Sequence, residues 1–196
     1  MSGMYVVEDV CVGEDHVRRL IFLSRPHLTQ SEAILKTVIG KIKRQRKLLS
    51  CLSYHRIMVG SLGIYLSAPI KVLVVGLCGG SLPNYIHATF PLSNVHVVEI
   101  DPAIVRVAQH QFSFTPGARL IVSTTCGLAY IKDTAEKFNV IMLDVDIKDI
   151  SSGMSCHPPS FLESQFLDTL SSLLVPGDML VLNLVCRDSV LRASLM

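Results

Sequence analysis

Gly76, Gly79 and Gly80, with Glu99 placed 19 residues after Gly80, are residue types at a spacing that can hold an adenosine-containing ligand. Glycines let the backbone come close to a ligand, and the unpaired N–H groups at the start of the following helix face its polar atoms. An acidic residue ending the next strand accepts hydrogen bonds from both ribose hydroxyls, a task that falls to Glu99. The spacing is Gly-x-x-Gly-Gly, not the Gly-x-Gly-x-x-Gly of dinucleotide enzymes, and no Gly-Lys-Ser/Thr follows that could cradle a triphosphate. The competing reading is structural: glycines for tight strand-to-helix packing, with Glu99 merely solvated. Cys156-His157 and the other histidines lack a spacing suited to zinc, so no metal is expected, and there is no Gly-x-Ser-x-Gly elbow for a serine hydrolase.

These residues need elements to place them. The β-branched run Lys71-Val-Leu-Val-Val75 ends in the glycines, and Asn94-Val-His-Val-Val-Glu99 ends in the carboxylate. From there the pattern alternates: strands over 71–75, 94–99, 118–123, 139–144 and 178–185, and helices over 81–90, 102–112, 127–137 and 159–174. Pro102 and Pro159 are helix-start signals. Five strands alternating with four helices predict an α/β fold with a doubly wound, mostly parallel sheet. Upstream, residues 16–23 read as a strand, 31–39 as a short helix, and 52–66 as a helix whose apolar face carries Leu52, Ile57, Leu62 and Leu66.

The 196 residues are 49% apolar with a formal net charge of +2, enough for one domain with a sizeable core. The charge is uneven: residues 1–70 hold ten Lys/Arg against five Asp/Glu, and residues 71–196 hold eight against eleven. Five of the seven residues from Lys41 to Lys47 are basic, which reads as a solvated linker or helix face; without interleaved aromatics, nucleic acid is not the expected partner. Six cysteines form no Cys-x-x-Cys pair, and Met1 to Asp15 mixes acids with apolar residues unlike a secretory leader. With no apolar run of about 18–20 residues, no membrane span is expected, and the reading is a cytoplasmic protein with free thiols.

Val74-Val-Gly-Leu-Cys-Gly-Gly-Ser-Leu-Pro83, Val98-Glu-Ile-Asp-Pro102, Ile141-Met-Leu-Asp-Val-Asp146, Gly153-Met-Ser-Cys156 with Pro158-Pro159, and Leu182-Asn-Leu-Val-Cys-Arg-Asp188 together resemble the S-adenosylmethionine-dependent methyltransferases of the spermidine-synthase-like branch. The resemblance is strongest to the C-terminal domain of the plant-type methyltransferase-like proteins that act on translation elongation factor 1-alpha. Val17-Arg-Arg-Leu-Ile-Phe22 and Gln30-Ser-Glu-Ala33 look like the segment preceding that domain. The resemblance implies S-adenosyl-L-methionine as cofactor, with Gly76, Leu77, Cys78, Gly79, Gly80 and Ser81 against its methionine part. It implies Glu99 on the ribose, Ile100 and Asp101 beside the adenine, and Cys126-Gly127 at the adenine amino group. Asp144 would face the reacting end, in the place where aminopropyl-transferring relatives use an aspartate as general base, with Asp146 as its neighbour.

The sequence departs from that pattern in three places. Cys78 stands where the family has the middle glycine of Gly-Leu-Gly-Gly-Gly, putting a side chain where backbone meets ligand or takes an unusual φ. Thr125-Cys126-Gly127 replaces Ala-Asp-Gly, and a thiol is a poor acceptor. The family also continues past the position of Asp188 into a helix and an antiparallel strand pair. The expected organisation is therefore an N-terminal extension and basic linker over 1–50 and a C-terminally truncated cofactor domain over 51–196, its last strand an apolar edge open to self-association. Three functions follow as expectations: methyl transfer to a protein amine, lysine or N-terminus; aminopropyl transfer to a polyamine; or a non-catalytic module retaining the fold.

Overall fold

The computed structural model describes residues 3–35, 37–38, 41–42, 53–65, 67–145 and 159–183. Its centre is a five-stranded sheet built from β6 (Ile70–Val75), β7 (Ser93–Glu99), β8 (Leu120–Thr124), β9 (Phe138–Leu143) and β10 (Leu174–Leu182). The spatial order is β10-β9-β6-β7-β8 and every pairing is parallel, so the chain winds outward from β6 in both directions. The switch point lies between β6 and β9. The near-continuous apolar strands follow from burial on both faces: Val72 and Val74 point into one core, Leu73 and Val75 into the other.

The first core is covered by α1 (Ser53–Gly60), α2 (Ser81–Thr89) and α3 (Pro102–Gln111), through Met58, Ile86 and Val105 among others. The second is covered by α4 (Gly127–Asp133) and α5 (Ser164–Leu173), through Ile131, Phe166 and Leu170. Asp101 caps α3, its side chain accepting from the Ala103 N–H at 2.9 Å, with Pro102 in the first turn. Helix α4 stops at Asp133, short of the expected 137. Thr134 is extended, and its hydroxyl accepts from the Glu136 N–H, a local bond that competes with another helical turn. A 3-10 turn (Pro159–Phe161) stands where α5 was expected to begin. The pairing of β10 with β9 shifts register between Leu174 and Met179, around Pro176 and Gly177, whose φ is 89°.

Ahead of this unit, β1 (Tyr5–Val12), β2 (Asp15–Phe22) and β3 (Thr29–Leu35) form a three-stranded antiparallel sheet, followed by the two-residue strands β4 (Thr37–Val38) and β5 (Lys41–Ile42). The helix expected over 31–39 is thus a strand over its described part: pairing with β2, from His16↔Leu35 to Leu20↔Ser31, overrides the local propensity of Ser-Glu-Ala-Ile-Leu. Leu20 and Phe22 of this sheet pack on Ile104 and Val107, so α3 is held between the two sheets. Arg18 adds a tie at the rim, bonding Asp9 through both guanidinium branches at 2.6 Å and the Gln111 side chain at 3.1 Å. The helix expected over 52–66 ends at Gly60 and gives way to a 3-10 turn (Ser61–Tyr65). Of its expected apolar face, Leu62 is buried in that turn, Ile57 is 78% exposed, and Leu52 and Leu66 lie outside the described residues; the inward face of the helix carries His55, Met58 and Val59. The basic run beyond Ile42, Asp146, and the cysteines at 51, 156 and 186 lie outside the described residues.

Candidate active site

The carboxyl ends of the strands are stitched at one level by backbone bonds: Thr125 N–H to Glu99 O, Gly76 N–H to Val98 O, Asp144 N–H to Val75 O and Asn183 N–H to Leu143 O. Glu99, the glycine turn, Asp144 and Asn183 therefore share one rim at the switch point, where open α/β sheets bind ligands.

The turn after β6 runs from Gly76 to Gly80. Gly76 has φ 100°, and a Cβ there would lie 2.2 Å from the Asp144 carbonyl oxygen, so only glycine lets β6 leave the sheet beside β9. Cys78 sits at φ 48°, the left-handed region that a side chain disfavours, as its replacement of a glycine foreshadowed. Gly80 (φ 75°) precedes Ser81 at the start of α2, packed beneath Phe114. Leu77 is buried, and its N–H donates to Glu99 Oε2 at 3.0 Å.

Glu99 is 8% exposed. Its Oε1 accepts from the Asp101 N–H at 2.9 Å, and with about four lone-pair sites the carboxylate keeps capacity for a ribose hydroxyl. Burial pushes its carboxyl above the ordinary value, and the donations from Asp101 and Leu77 pull it only part of the way back. Beside it Ile100 is 57% exposed, an apolar side chain open to a ring, whereas the Asp101 carboxylate is engaged as the cap of α3. Gly127 packs against Val75, leaving no room for a Cβ (2.6 Å), and Cys126 is exposed at the start of α4.

Asp144 stands one residue past β9, its side chain 10% exposed. Asn183 donates to Oδ1 at 2.9 Å, and His55 Nε2 lies 2.9 Å from Oδ2. An ionised carboxylate only accepts, so His55 presents Nε2–H to it. His55, 2% exposed on α1, was not found from sequence. Its signal was a histidine on the inward face of an amphipathic helix, and the residue it meets is 89 positions away. The N-terminal sheet contributes two more unforeseen residues. The register between β2 and β3 slips at Gln30, so Leu20 faces Ser31 while Ile21 faces Thr29. This bulge buries two consecutive side chains, Gln30 and Ser31, where regular alternation would turn one away. Ser31 Oγ accepts from the Gly79 N–H at 2.7 Å, and Gln30 Nε2 is a buried donor with no acceptor among the described residues.

A doubly wound parallel sheet with a glycine turn and an acidic residue at its switch point defines the class: an α/β fold of the Rossmann-like, class I methyltransferase type. Residues 51–184 match the spermine/spermidine synthase domain, and the chain belongs to that family. It is 39% identical over 235 residues to the human "eEF1A lysine and N-terminal methyltransferase", a match covering all of this chain and 34% of that protein. The chain thus spans about a third of the length of the curated relatives it matches. The crystal structure of human methyltransferase-like protein 13 in complex with SAH superposes with a TM-score of 0.69 at 41% identity, over 74% of this chain and 70% of that one. A probable spermidine synthase from Corynebacterium glutamicum gives a TM-score of 0.72 at 18% identity, over 97% and 64%, which speaks for the fold alone.

Proposed function

We propose that this chain is an S-adenosylmethionine-dependent methyltransferase domain acting on a protein amine, a lysine side chain or an N-terminus, with an elongation factor of the eEF1A type as substrate in the cytoplasm. The observation that carries the reading is the Asp144 carboxylate beside the glycine turn, fixed by His55 and Asn183 on its two oxygens. Likeness to the eEF1A methyltransferases supports the substrate class. The division into an extension over 1–50 and a cofactor domain over 51–196 belongs to the same proposal.

The residues present fit the cofactor. Gly76 to Ser81 offers close backbone approach, Glu99 keeps acceptor capacity, and Ile100 offers an apolar surface. When bound, S-adenosylmethionine supplies a methyl group on a sulfonium, itself a good leaving group. The protein then has to bring a neutral amine into line. A lysine is protonated at neutral pH, so the site must favour its uncharged form or take its proton. Asp144 accepts an amine hydrogen, and the His55 and Asn183 bonds stop its carboxylate from rotating, which turns the nitrogen lone pair toward the transfer path. Cys126, in place of a carboxylate, leaves the adenine end with a weak acceptor.

Incubating the chain with labelled S-adenosylmethionine and eEF1A, with product sites read by mass spectrometry, tests the reading. Asp144→Asn should lower the rate by about 10²–10⁴-fold, the range for a lost general base, while cofactor affinity stays within a few-fold. Label on a polyamine from the decarboxylated cofactor, with none on protein, would favour the aminopropyl reading that membership of the spermine/spermidine synthase domain family keeps open.

A further inference from the structure

We propose that Ser31 is a positioning residue for the cofactor turn, so that the N-terminal antiparallel sheet forms part of the active-site scaffold. The proposal rests on the reading above that the turn holds S-adenosylmethionine. Four N–H groups of the turn are spoken for in the structure. Gly76 donates to Val98, Leu77 to Glu99 and Gly80 to Leu77, all within the parallel-sheet unit. Gly79 alone of these four donates outside it, to Ser31 Oγ at 2.7 Å, across 48 residues of chain.

The fit is tight on both sides. Ser31 is 1% exposed, and a Cβ built on Gly79 would lie 2.7 Å from the Ser31 Cβ and 3.1 Å from Phe112. Serine is small enough to approach the glycine and long enough to present an acceptor. The bulge at Gln30 is what directs it inward. This anchor falls next to Cys78, whose left-handed backbone is strained for a residue with a side chain and persists only where its surroundings over-determine it. With Ser31 bonded to Gly79 and Leu77 bonded to Glu99, the strained residue is clamped on both sides. Removing the hydroxyl leaves the buried Gly79 N–H without an acceptor, and the turn then gains by relaxing out of the shape that meets the ligand. Ser31 acts through the turn and has no part in the chemical step. The sheet stays docked without it, because Leu20 and Phe22 still pack on α3 and Arg18 still reaches Gln111.

The test compares the full chain with Ser31→Ala and Ser31→Thr by amide hydrogen exchange and by titration with S-adenosylhomocysteine. Loss of one hydrogen bond predicts about a five- to tenfold rise in Kd for Ser31→Ala. The Gly79 amide should exchange markedly faster while those of Val72 to Val74 keep their protection, and KM for S-adenosylmethionine should rise with kcat retained. Ser31→Thr, which keeps the oxygen, should restore the Gly79 protection. Unchanged Gly79 exchange together with unchanged affinity in Ser31→Ala would overturn the proposal, as would a fall in affinity that tracks global unfolding in both variants. Should Ser31→Ala fail to fold, Ser31→Cys, with a weaker acceptor, takes its place and should show intermediate protection. A wild-type chain that does not bind S-adenosylhomocysteine would sink the cofactor reading, and Gly79 exchange would still decide the part Ser31 plays in the turn.

Discussion

Glu99 carries the sharpest residue-scale expectations. Glu99→Ala should weaken S-adenosylhomocysteine binding by about 1.5–3 kcal/mol, the worth of hydrogen bonds to a charged group. Its carboxyl titrates above 4.5 because of burial, which has two consequences of stated sign. The folded protein binds a proton here more readily than the unfolded chain, so in the window between 4.5 and the raised value this group's contribution to stability falls as pH rises. Cofactor affinity runs the other way under the proposed role of Glu99: its ionised form would accept the ribose hydroxyls, so affinity should drop on acidification through that window. Titrations at a series of pH values should show the decline in wild type and its absence in Glu99→Ala. Glu99 and the glycines were legible because their types and spacing are local in sequence. His55, Ser31 and Asn183 were not, since each acquires its meaning from a partner tens of residues away.

At the scale of elements, the rim works because each strand hands its ligand-facing residue to a defined turn or cap. Asp101 shows how the two depend on one another: its N–H holds Glu99 while its side chain starts α3. Asp101→Ala should therefore cost about 1 kcal/mol of stability from the lost cap, a fall of about 2–4 °C in melting temperature for a chain of this size, while its N–H still serves Glu99 and affinity changes little. Melting curves and a titration on the same preparation check both halves. The parallel strands were readable from their apolar runs, and α3 from Asp-Pro at its start. The strand β3 was misread because Ser-Glu-Ala-Ile-Leu carries no alternation strong enough to outweigh helix-forming residues, and only pairing with β2 decides it.

Over the whole molecule, two sheets enclose α3 and meet again at the glycine turn, so the segment before the parallel sheet is coupled to the site and is not merely attached to it. Among the described residues β10 is a terminal strand of the sheet, with Asp178 to Leu182 half-buried, and no helix is long and apolar enough to cross a membrane. Fold class was legible from the βα alternation alone. The scaffolding role of the N-terminal sheet was not, because it arises from a bulge and a single side-chain bond that leave no periodic trace. Whether this rim binds S-adenosylmethionine is decided by isothermal titration of the folded full chain with S-adenosylmethionine and S-adenosylhomocysteine. One site with Kd on the order of micromolar is the expected result; a chain that is folded by circular dichroism and yields no binding heat and no thermal shift with either ligand would contradict it and leave a methyltransferase fold kept for interaction alone.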